Sequence, residues 1–222
     1  MKPFTHHPHR LVAAGALGIA LTTAAEVLTA PYSAHLVLYE LNPAVHAVKV
    51  VAALVFVAGM LALAARYRAT LGPVGVGAAV ALAAGTTIGA IPYSVAETRL
   101  DPNLSPAEAA AWLDAAYEAQ LAWIGHLAAV GMLLILVGLV TLAVVVLRRR
   151  LLPRWRPLLS LAGLPLGVLA GAVGETTSLP VPHPPAWVFL CLGAAYAAPL
   201  ASASGRWTRS DRAERPMGAT AP

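Results

Sequence analysis

Six mainly apolar runs, at 11–30, 44–65, 72–92, 121–147, 157–177 and 186–204, alternate along the chain with breaks, short or long, marked by arginine, proline or acidic residues. A helix needs about 20 consecutive apolar residues to cross the hydrocarbon of a bilayer, and each run meets that length. The fourth is the purest, unbroken from Gly131 to Arg148, while the third and fifth are rich in Gly and Ala. The pattern predicts an all-α, polytopic membrane protein. About six transmembrane helices form one bundle over 1–204, and 205–222 follows as a polar, disordered tail.

The breaks predict how the helices are joined. The connections 66–71 and 148–156 are short, which makes the flanking helices antiparallel neighbours. Asn42 followed by Pro43 reads as a cap and first-turn signal for the second span. Ser105-Pro106-Ala107-Glu108 fits a capping box, and no helix breaker follows before Arg150. A helix of about 45 residues would reach about 67 Å, so its first turns must project from the membrane or bend along it. Segment 94–120 is therefore expected to be partly helical.

Composition supports lipid as the solvent. Apolar residues make up 59% of the chain and charged residues 11%, against the roughly 25% charge of soluble domains. The net charge of +5 and a pI near 9.8 do not indicate nucleic acid, because the arginines cluster in short bursts between apolar runs. Cys191 is the single cysteine, has no disulfide partner and reads as a small hydrophobe. Thirteen Arg against two Lys, with abundant Ala, suggests a GC-rich bacterial genome.

Placing the N-terminus in the cytoplasm puts thirteen of the basic residues inside and leaves only Lys49 and Arg99 outside. Both termini are then cytoplasmic, and the expected location is the bacterial plasma membrane. Most Tyr and Trp fall at the two interfaces; Tyr196 alone lies in mid-helix. Lys2 and Arg10 before an apolar run also resemble the start of a signal peptide, but no convincing cleavage site follows. The N-terminal His6-His7-Pro8-His9 tract reads as a flexible end near headgroups, with metal binding the lesser reading.

Eight of the ten acids and four of the seven histidines fall on the outer side or the outer part of a span. Ionisable groups at membrane depth are costly and usually face protein or a water-filled cavity. Glu26, Glu97, Glu175, His46, His126 and Lys49 are thus the candidate ligand-binding residues. His46, His126 and His183 could hold a divalent metal, although they come from separate helices and form no HExxH pair.

Small residues spaced by four point toward the acids. Gly163, Gly167 and Gly171 lead to Glu175; Gly77, Gly85 and Gly89 lead toward Glu97; Ala14, Gly18 and Thr22 lead to Glu26. Such rows are expected at helix contacts in lipid. Thr22-Thr23 and Thr86-Thr87 form a faint internal echo. Pro165 and Pro199 interrupt spans and free the carbonyls of Leu161 and Ala195.

Three functions compete on these grounds. One is binding or transport of a cation or small polar solute at the outer Glu/His cluster. The second is a membrane-embedded metal-dependent enzyme, and the third a structural or accessory subunit. A homodimer or another membrane subunit would be the expected partner, beside the bilayer itself. Walker A, GxGxxG, GxSxG and CxxC motifs are absent.

Overall fold

A computed structural model describes residues 8–29, 43–91, 108, 111, 122–177 and 184–197. Every element among them is helical. They are α1 (Pro8–Thr29), α2 (Pro43–Arg66), α3 (Arg68–Gly85) continuing into a π-turn (Thr86–Ala90), α4 (Ala122–Arg148), α5 (Trp155–Thr177) and α6 (Pro184–Ala197). Proline opens α1, α2 and α6, the position where its missing N–H costs nothing. The tail, the loop after α1 and most of segment 94–120 lie outside the described residues; Glu108 and Ala111 are helical.

Four helices are long and apolar enough to cross a membrane: Val45–Arg66, Arg68–Gly89, Ala129–Arg148 and Trp155–Val173. α6 is apolar but shorter over its described length, and α1 runs for 22 residues. The chain is an all-α membrane bundle.

Each helix touches its neighbours in sequence, and α1 also touches α6, so the contacts close into a ring. Small residues make up much of the contact surfaces, beside larger buried side chains such as Phe56, Met60, Leu82 and Leu139. Val12, Ala13, Ala16, Ala52, Ala53, Ala78, Ala79 and Ala83 are buried, whereas Val51, Val74, Leu133, Val168 and Leu169 are more than half exposed. Water would drive those large side chains inward; lipid leaves them outside and lets backbones approach.

The closest approaches lie at glycines. A methyl group on Gly59 would fall 2.5 Å from the Val12 amide nitrogen, and one on Gly18 would fall 2.7 Å from the Ala52 side chain. Between α3 and α4, Gly85 lies against the Gly131 carbonyl and Gly131 against the Gly89 backbone. Gly163 meets the Trp187–Val188 backbone, Gly193 meets Leu17, and Phe56 packs edge-on against Phe189 with centroids 5.4 Å apart.

Of the other glycines in the small-residue rows, Gly167 is buried, Gly171 is half-buried and Gly77 faces open space. Pro165 lies inside α5 and is exposed.

Both threonine pairs bond back onto their own helices. Thr22 and Thr23 donate to the carbonyls of Gly18 and Ile19, and Thr86 and Thr87 to those of Leu82 and Ala83, all at 2.8–2.9 Å. Such back-bonding competes with the helical ladder, and at Thr86 the helix passes into the π-turn.

The two turns at the arginine-rich end are tied together. Gly72 breaks the start of α3 at φ 64°, ψ 178°, a backbone shape open to glycine alone, and Pro73 restarts the helix. Arg149 lies over Gly72 and donates to the Thr70 carbonyl at 2.7 Å.

Candidate functional site

The register of α1 against α2 sets the polar residues at the end of the bundle remote from the arginines. Gly18 meets Ala52, Gly15 meets Phe56, and Val12 meets Gly59, an antiparallel register of nearly constant offset. Continued outward, it brings His46 opposite Ala25, beside Glu26, and Lys49 opposite Thr22. The second boundary comes from the α2–α3 hairpin. His46 and Ile88 stand at equal chain distance from the turn residue Tyr67, and α2 touches the π-turn. His46 is therefore level with both the last turns of α1 and the Thr86–Ala90 irregularity.

Its imidazole is 1% exposed, as fully enclosed as the large aliphatic residues of the core. Thr22, Thr23 and Thr86, each near this level, are also buried, and Lys49 is half-buried. π-turns are rare and often accompany functional sites, because the extra residue unties one step of the hydrogen-bond ladder.

The remaining sequence candidates are distributed differently. His126 is exposed near the start of α4. Glu175 lies in the closing turns of α5, and of the side chains of Glu26 and Glu175 nothing is described. Glu97 and His183 fall outside the described residues. Among the described residues, no three His, Cys, Asp or Glu side chains gather into a metal-ligand set. Cys191 is a buried free thiol in α6.

A second polar cluster, unanticipated from sequence, lies at the arginine-rich end. His9 in the first turn of α1 shares a hydrogen bond of 3.2 Å with the Tyr67 hydroxyl, through Nε2. Its ring stacks on Tyr196 of α6 at 5.8 Å, and its Nδ1 is buried with no hydrogen-bond partner. Arg156 is only 6% exposed at the start of α5, close enough for its charge to act on His9, and lies 5.2 Å over the Trp155 ring. Ser160, one turn on, donates to the Pro157 carbonyl.

Arg156, Ser160 and Tyr196 share a narrow cleft with Leu139, Leu142 and Leu192. One sequence signal pointed here: Tyr196 is the single tyrosine placed in mid-helix, away from either headgroup zone. Arg156 gave none, because it stands in a run of arginines that are otherwise exposed.

Comparison of the chain with protein-family models, with curated proteins and with solved structures gives no match.

Proposed function

We propose that this membrane bundle binds a cation or small polar solute at the end remote from the arginines, and conducts it toward the bundle interior. The buried imidazole of His46, level with Glu26 and with the π-turn of α3, carries the reading. An imidazole enclosed among apolar helices is expensive to keep unless it has a task there, and a carboxylate at the same level would favour positive charge. The untied backbone of the π-turn offers carbonyl oxygens at that depth. On this proposal that end faces outward from a bacterial plasma membrane and both termini are cytoplasmic; the excess of Lys and Arg at the opposite end supports the orientation.

The metalloenzyme reading is weaker, because His46 is enclosed while His126 is exposed. Reconstitution in liposomes tests the proposal. Uptake of H⁺, Na⁺, K⁺, Mg²⁺ and Mn²⁺ is followed with entrapped indicators, for the wild type and for Glu26→Gln/His46→Gln. The wild type should exceed empty liposomes for at least one ion, and the double variant should lose about tenfold of that rate, as expected when a buried charge-assisted contact is removed. Equal uptake by both proteins would sink the reading.

A further inference from the structure

We infer that His9 is a proton-sensitive latch on the arginine-rich end: as a neutral ring it ties the start of α1 to the α2–α3 turn and to α6, and protonation releases that tie. The latch lies opposite the proposed cation site and is independent of that reading. Its geometry is a three-way junction. His9 Nε2 shares the 3.2 Å hydrogen bond with the Tyr67 hydroxyl, and the centroids of the two rings lie 5.3 Å apart. Tyr196 of α6 stacks on the same imidazole at 5.8 Å, 24° from parallel. One titratable side chain thus joins two helices and the turn between two others.

Only the neutral ring fits this junction. Its single proton, placed on Nε2, is donated to the Tyr67 oxygen and leaves Nδ1 with a bare lone pair. Nδ1 is buried and has no hydrogen-bond partner among the described residues. An imidazolium would carry an N–H there that no acceptor meets, a costly group to enclose. No carboxylate offsets the charge, since residues 1–25, 41–96, 119–174 and 176–210 contain no Asp or Glu. The charged groups on the elements that meet here are cations: Arg10 next to His9, Arg66 and Arg68 on either side of Tyr67, all exposed, and the buried Arg156 of α5. Both tyrosines stay neutral in this range. The Tyr196 face attracts a cation weakly. Burial outweighs it and, with the charge of Arg156 as the second cause, holds His9 below its ordinary value. Closure is therefore fully favoured above the ordinary histidine value of about 6.5 and weakens as pH falls through it, because the open end takes up the proton more readily than the closed one.

Full-length protein in lipid nanodiscs is followed by amide hydrogen exchange at about pH 8 and about pH 5.5, on either side of that value. Each rate is divided by the rate of His9→Phe at the same pH. This variant keeps an aromatic ring but cannot titrate, so the division removes the pH dependence of exchange itself and of every other histidine. For the first turns of α1, the α2–α3 turn and the last turns of α6, the ratio should rise by about threefold to tenfold at the lower pH, about tenfold being the limit for one proton over one pH unit. The middle of α4 should hold its ratio. Where His9→Phe does not fold, His9→Gln, which can still bond the Tyr67 hydroxyl, takes its place with the same expected rise. An unchanged ratio in those three segments, or an equal rise in α4, would overturn the inference.

Discussion

Gly15 and Gly77 both lack a side chain, yet their surroundings differ completely. A methyl on Gly15 would collide with the Phe56 backbone, which cannot swing away as a flexible side chain would; a methyl on Gly77 meets nothing within 4 Å. Gly15→Ala should therefore destabilise the bundle by about 1–3 kcal/mol, the usual cost of overpacking. Gly77→Ala should change it by less than about 1 kcal/mol, the helix-propensity difference alone. Thermal unfolding in detergent reads both, and equal shifts would contradict the packing described. The sequence announces that small residues line helix contacts, but rows spaced by four drift around the axis. Spacing alone therefore could not separate Gly77 from Gly85, nor single out Gly15, Gly59 and Gly131, which no regular row marks. His46 was legible as a polar residue near a span end; its enclosure depends on α1 and α3, which no local pattern reports.

Turns and caps carry the element-scale lessons. α4 ends with the Leu151 amide bonded to the Val146 carbonyl at 3.1 Å and the Arg150 amide to that of Leu147 at 3.2 Å. This is a Schellman motif, and its left-handed residue is Arg150, at φ 54°, where glycine is the usual choice. Arg150→Gly should raise stability by about 1 kcal/mol. Gly72→Ala should lower it by about 1–3 kcal/mol, because φ 64° with ψ 178° is closed to a β-carbon and Arg149 covers the site. The two substitutions move the melting temperature in opposite directions; parallel shifts would contradict the turn geometry. The apolar runs and proline starts made helix existence readable. The π-turn was not; it lies where Gly85 and Gly89 meet Gly131 of another helix, a contact remote in sequence.

For the whole molecule, the decisive feature is that large apolar side chains cover the outside as well as part of the inside. Alanine and glycine line the closest helix contacts, beside buried Met60, Leu82, Leu139 and Leu192, while many other valines and leucines face out. One large-residue contact joins helices that are not chain neighbours: Phe56 of α2, fully enclosed, meets Phe189 of α6 edge-on. Phe56→Ala should cost about 3–5 kcal/mol, as for other large-to-small core changes, and lower the melting temperature more than any single exposed leucine-to-alanine change on the same helix.

The all-helical class was legible from apolar run length and low charge, because both follow from the solvent and not from tertiary detail. The cluster of His9, Tyr67, Arg156 and Tyr196 was not, because it assembles three helices and a turn. In sequence His9 belongs to a histidine tract and Arg156 to an arginine run.

Behaviour during extraction tests the central claim most directly, since hydrocarbon must cover the exposed valines and leucines. Membranes carrying the full chain are washed with alkaline carbonate and with high salt, then treated with detergent, and the chain is followed into pellet or supernatant. The account predicts retention in the pellet through both washes and release by detergent alone. Monodisperse, folded protein released by carbonate or salt without detergent would contradict it.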